Sequence, residues 1–203
     1  MTTDQAAPNH HAHYPGFSGV FGLVAALSMS TGRRADAELA ARLTELGPHD
    51  TLVDVGCGPG AAARHAARLG ASVTGVDPAA VMLRTARLLS LGSRRVNYIE
   101  GSAEALPIGD GSATVLWSIA CVHHWDDVDA GLAEARRVLA PGGRLLAIER
   151  QTQVGAHGHA SHGWTLEQAE RFAACCEARG FGGVRVDRNN GGRRPSWSVL
   201  GHT

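Results

Sequence analysis

Between residues 51 and 200 the chain alternates short apolar runs with stretches in which apolar residues recur every three or four positions. The runs at 51–55, 72–76, 95–99, 113–119 and 144–149 read as strands. Helical spacing between them predicts helices around 60–69 and 79–91, and a third on which Val128, Leu132, Ala135 and Leu139 share one face before Pro141-Gly142-Gly143. Five such units in a row predict an α/β fold: a largely parallel sheet with helices on both faces.

The last part of the chain breaks this rhythm. Leu166, Ala169, Ala173 and Cys176 mark a helix stopped by Gly180. Val184 to Asp187 and Trp197 to Leu200 are strand candidates joined through Asn189-Asn190-Gly191-Gly192. A parallel crossover takes about a dozen residues or more, so these two strands are expected to be antiparallel.

The first residues follow neither pattern. Residues 1–13 are small, polar and histidine-containing and read as a flexible tail. Val20, Phe21, Val24 and Leu27 recur near helical spacing, weakened by Gly16, Gly19 and Gly22, and Leu39, Leu43 and Leu46 line a clearer helix before Gly47-Pro48. The expected organisation is a tail over 1–13, a helical lid or cap over 14–48, and one main domain over 49–203.

Composition narrows the class. At 203 residues and 44 % apolar content, the chain fits one soluble globular domain with a short extension. Its 19 acidic and 19 basic residues balance, and every basic one is Arg, so no nucleic-acid partner is expected from charge. No apolar run approaches the ~18 residues of a membrane span. Cys57, Cys121, Cys175 and Cys176 lack metal-like spacing, which suits a reducing, cytoplasmic setting.

The candidate chemistry begins where strand 51–55 runs into Gly56-Cys57-Gly58-Pro59-Gly60, answered by Asp77 at the end of the next strand. Glycines there let a ligand approach the backbone, and the helix that follows presents unpaired N–H groups. Asp77 suits two ribose hydroxyls, or a helix cap before Pro78. Asp54 either tethers the glycine loop or faces a cationic ligand group. A nucleoside-containing cofactor is expected.

Val53-Asp54-Val55-Gly56-Cys57-Gly58-Pro59-Gly60 resembles the first motif of the class I S-adenosylmethionine-dependent methyltransferases, small-molecule group, which includes the ubiquinone/menaquinone-biosynthesis enzymes. Gly75-Val76-Asp77-Pro78 resembles their second motif, and Gly101-Ser102-Ala103-Glu104-Ala105-Leu106-Pro107 the segment that meets adenine. Leu132 to Gly143 resembles the helix and turn before strand five. The resemblance implies a Rossmann-like seven-stranded sheet, mostly parallel, with an antiparallel last strand. It implies S-adenosyl-L-methionine as cofactor, its methionine part near Gly56, Cys57, Gly58 and Gly60 and its ribose on Asp77. Asp54, Pro78, Ser102, Ala103, Glu104 and Ala120 complete the implied cofactor set. Many members carry Gly-Asp-Ala where this chain has Gly101-Ser102-Ala103, so Ser102 would bond the exocyclic amine without a carboxylate's charge.

The acceptor side is less determined. Cys121-Val122-His123-His124-Trp125 follows strand four, where the family places residues near the transferred methyl. His123 and His124 are candidate catalytic residues, as base or as orienting groups, or one of them caps the next helix. Tyr14, Phe21, Trp125 and His157 are candidates for the substrate pocket. His157, His159 and His162 offer three imidazoles, but no fixed helix or strand spacing holds them together, so no metal is expected. The expected protein is a monomer or homodimer that methylates a small molecule; the alternative is a catalytically inactive protein that keeps the cofactor fold.

Overall fold

The central apolar runs become strands covered on both faces, as in Ala113–Ile119, whereas Gly182–Asn189 at the sheet edge stays largely exposed. The computed structural model describes residues 34–155, 162–190 and 194–203. In chain order the sheet contains β1 (Thr51–Val55), β2 (Ser72–Asp77), β3 (Val96–Glu100), β4 (Ala113–Ile119), β5 (Leu139–Arg150), β6 (Gly182–Asn189) and β7 (Ser196–His202). Their spatial order is β3-β2-β1-β4-β5-β7-β6. The first five run parallel, and β7 inserts antiparallel between β5 and β6.

Successive strand residues feed opposite cores. On one face, α1 (Arg34–Leu43), α2 (Ala61–Arg68) and Leu83 and Ala86 of α3 (Ala80–Leu89) cover Leu52, Val115, Trp117, Leu146 and Ile148. On the other, α4 (Val128–Val138) and α5 (Leu166–Ala178) cover Val53, Val55, Leu116, Leu145, Ala147 and Val199. The α1 end of the chain is tied into the sheet: Trp117 Nε1 donates to Thr44 Oγ1 at 3.2 Å, and Arg144 reaches the Thr44 carbonyl and the Asp50 carboxylate.

Two sequence expectations need correction. Leu139 belongs to β5, not to the helix before it: its φ of −76° and ψ of 132° are extended, and it pairs with Ala113. The ladder then jumps from Ala113–Leu139 to Val115–Arg144, and Pro141-Gly142-Gly143 is absorbed in that irregularity. Leu46 also falls beyond its helix, which ends at Leu43. The expected tail and the helix near 17–27 lie outside the described residues. Among the described residues no helix is long and apolar enough to cross a membrane.

Candidate active site

The carboxyl ends of β1, β2, β4 and β5 form one rim, where β1 lies between β2 and β4 and the strand order reverses. The glycine turn leaves β1 there. Gly56, Gly58 and Gly60 have φ of 68°, 52° and 76°, which side chains resist. Gly56 and Cys57 donate their N–H groups to the Val76 carbonyl at 2.8 and 3.1 Å, binding the turn to β2. Asp77 clasps it from the other side, accepting from Gly58 N at 2.8 Å and Ala79 N at 2.9 Å. Asp77 does not cap the following helix, whose N-cap is Ala79 without a side-chain bond; its contact to Ala79 N is a turn bond two residues on.

Asp54 is buried within β1, and Cys57 is buried beneath the turn. Burial pushes the Cys57 thiol well up, and the Asp54 and Asp77 carboxylates add to the shift. Ala120, just beyond β4, has a positive φ of 51° and donates its N–H to the Ile148 carbonyl at 2.7 Å. A strained non-glycine residue on this rim is the kind of backbone that clusters at ligand sites.

The 101–107 segment lies against the start of α4. Ser102 is half-buried and bridged to Ala105, and Ala103 joins the core. Glu104 Oε1 accepts from Asp126 N at 2.9 Å, so its side chain secures the entry to α4. Pro78 is exposed. Arg137 fastens the stretch after Ala105: it bonds both oxygens of Glu134, the Asp110 carboxylate and the carbonyls of Leu106 and Ile108.

His123 occupies the single 3₁₀ turn Val122–His124 beyond β4. Its ring Nδ1 lies 2.9 Å from Oε2 of Glu149, and its backbone N–H donates to Oε1 at 3.3 Å. Glu149 is fully buried on β5. A carboxylate only accepts, so in the neutral imidazole this contact places the hydrogen on Nδ1 and leaves the lone pair on Nε2. That Nε2 is buried, with no hydrogen-bond partner among the described residues. His124 is exposed beside it, at a ring-centroid distance of 4.0 Å.

Sequence reasoning missed Glu149, whose signal is a lone acid inside the apolar strand Leu145-Leu146-Ala147-Ile148. It also missed that His162 meets this pair, at centroid distances of 5.4 Å from His123 and 5.8 Å from His124. Trp125, a candidate for the substrate pocket, is 7 % exposed, and its ring meets Phe172 edge-on. Tyr14, Phe21 and His157 lie outside the described residues.

Comparison with known proteins agrees with this geometry. A family model described as a methyltransferase domain matches residues 53–147. A demethylmenaquinone methyltransferase of Tropheryma whipplei (strain Twist) is 35 % identical over 100 residues, covering 49 % of this chain and 41 % of that protein. Methyltransferase GfsG of Streptomyces halstedii is 36 % identical over 149 residues, covering 71 % of this chain and 50 % of the relative. The chain thus spans half or less of the length of these curated relatives. Among solved structures, a SAM-dependent methyltransferase from Aquifex aeolicus superposes with a TM-score of 0.73 at 17 % identity, over 88 % of this chain and 97 % of that one. This last likeness establishes a shared fold.

Proposed function

We propose that this chain is a class I S-adenosylmethionine-dependent methyltransferase that transfers the methyl group to a small-molecule acceptor. The observation that carries this reading is one rim bearing both halves of the reaction. The clasped glycine turn lies at β1 and β2, and the Glu149–His123 pair lies at β4 and β5.

The donor half fits the cofactor. Asp77, whose two carboxylate oxygens already hold Gly58 N and Ala79 N, suits a ribose diol as a paired acceptor. The glycine turn keeps side chains away from the methionine part, with Asp54 and Cys57 beneath it. Ser102 and Ala103 take the adenine edge, while Pro78, Glu104 and Ala120 shape the walls. Bound S-adenosyl-L-methionine supplies an electrophilic sulfonium methyl, so the protein's main tasks are alignment and exclusion of water.

On the acceptor side, Glu149 fixes the ring of His123 so that Nε2 keeps its lone pair. His123 and His124 orient the acceptor atom and assist loss of its proton. Tyr14, Phe21 and His157 are assigned to the cover and wall of the acceptor pocket. Four free thiols accord with a reducing, cytoplasmic setting.

The decisive experiment supplies methyl-labelled S-adenosylmethionine and a small-molecule metabolite extract, beside calorimetry with S-adenosylhomocysteine. Binding with label transferred to a metabolite is expected. Binding without transfer to any acceptor would favour the inactive cofactor-binding protein instead. With the acceptor found, His123→Gln is expected to lower kcat about 100-fold or more, the scale of a lost proton-transfer partner.

A further inference from the structure

We infer that His123, His124 and His162 form a binding site for one divalent transition-metal ion, with Glu149 as the buried carboxylate that orients His123. Each imidazole offers one ligand nitrogen, and no two of these atoms lie more than 4.8 Å apart. Tetrahedral coordination with metal–nitrogen bonds of about 2.05 Å needs nitrogens about 3.4 Å apart. Small ring rotations close that gap.

Three further observations point to a ligand. The His123 Nε2 is buried and has no hydrogen-bond partner among the described residues. A buried acceptor left in that state costs free energy, and an ion would satisfy it. The carboxylate–histidine contact on the far side of the same ring, at 2.9 Å with Glu149 fully buried, is the arrangement that orients metal-bound histidines and raises their basicity. Finally, the histidines arrive on separate pieces of backbone that the fold fixes. His124 N donates to the Cys121 carbonyl at 2.8 Å within the 3₁₀ turn. His162 stands two residues before Trp164, whose N–H donates to Arg150 at 2.8 Å and whose carbonyl accepts from Thr152 at 2.8 Å. The end of β5 therefore holds both Glu149 and the strand pairing that brings His162 in.

The donor set selects the metal. Three imidazoles suit zinc and its transition-metal neighbours, whereas magnesium and calcium require oxygen ligands. Three protein ligands beside an exposed His124 leave a fourth position accessible, as in catalytic zinc sites. This inference deepens the transferase reading and rests on it in one respect: the open position would receive an oxygen of the acceptor. His123 would then be a ligand, and the ion would assist loss of the acceptor's proton.

The test uses the full chain, expressed without an affinity tag and stripped with a chelator, in the absence of methyl donor and acceptor. Cobalt(II) is titrated while its visible d–d absorption is followed, and zinc is then used to displace it. His10, His11 and His13 are a second source of imidazole, so a variant with all three changed to Ala is measured alongside. One equivalent of cobalt with four- or five-coordinate bands is expected in both proteins. His123→Ala and His162→Ala are each expected to lose at least 100-fold in affinity. Glu149→Gln should keep the stoichiometry and lose about 10- to 100-fold. Should His123→Ala fail to fold by circular dichroism, the half-buried His162 decides the matter. Cobalt binding that survives His162→Ala but vanishes with the tail histidines would overturn the proposal, as would unchanged affinity in Glu149→Gln. Because no methyl donor is present, failure to find methyl transfer leaves this result independent.

Discussion

Gly58 and Gly60 share one turn and one backbone conformation, yet their surroundings differ. A methyl group on Gly58, at φ of 52°, would meet nothing within 4 Å, whereas one on Gly60, at φ of 76°, would overlap the Tyr98 hydroxyl. Tyr98 is held in the core by a 2.9 Å bond to Ser90, so it does not yield cheaply. Gly58→Ala should therefore cost about 1–2 kcal/mol, the price of a left-handed non-glycine residue. Gly60→Ala should cost clearly more. Denaturant unfolding measures both. If the turn receives the methionine part, Gly58→Ala should also lose S-adenosylhomocysteine affinity by more than its stability change suggests. Wild-type affinity in that variant would remove the turn from the donor site.

At the scale of elements, Arg137 on α4 fixes the loop between β3 and β4. Its guanidinium holds two carboxylates and two backbone carbonyls at once, which a lysine's point charge does not reproduce. Arg137→Met is expected to lower the melting temperature by several degrees and to weaken S-adenosylhomocysteine binding, since the segment proposed to meet adenine adjoins the loop it fastens. Arg137→Lys should recover only part of each loss. Full recovery by lysine would mean that charge alone, without the fork, holds the loop.

The same scale shows where sequence reading succeeds and stops. β4 was legible to its end residues, because Ala113–Ile119 is an apolar run entered from the polar turn Gly109-Asp110-Gly111-Ser112. The β6–β7 hairpin was legible from chain length alone. The start of β5 was not, because Leu139 continues the helical spacing of Val128, Leu132 and Ala135 while its backbone is already extended. Local pattern carries no record of the ladder partner, Ala113, that decides the matter. The donor motif was readable because its residues are contiguous. The Glu149–His123 pair, 26 positions apart, and the approach of His162 are made only by the sheet.

For the whole molecule, proton binding and stability are linked with one sign. His65 on α2 has its pKa lowered, first by burial and then by Arg68, with Glu38 of α1 opposing. Folding thus favours its neutral form, and below about pH 6.5 the unfolded chain binds more protons than the folded one. Glu134 is also lowered, chiefly by its hydrogen bond to Arg137, so it acts in the same direction at lower pH, below the ordinary glutamate range. Stability should consequently rise with pH through both ranges. Net charge reinforces the trend: formally zero at pH 7, the chain gains up to 11 positive charges as its histidines protonate, and self-repulsion grows. Melting temperatures are expected to climb from about pH 5 to pH 7.5 and then level off. His65→Gln should flatten the part of that curve between about pH 5.5 and 7, leaving the acid limb in place. Glu134→Gln should flatten the limb below about pH 4.5. A curve that falls toward neutrality, or one whose upper part ignores His65→Gln, would place the pH response elsewhere in the molecule.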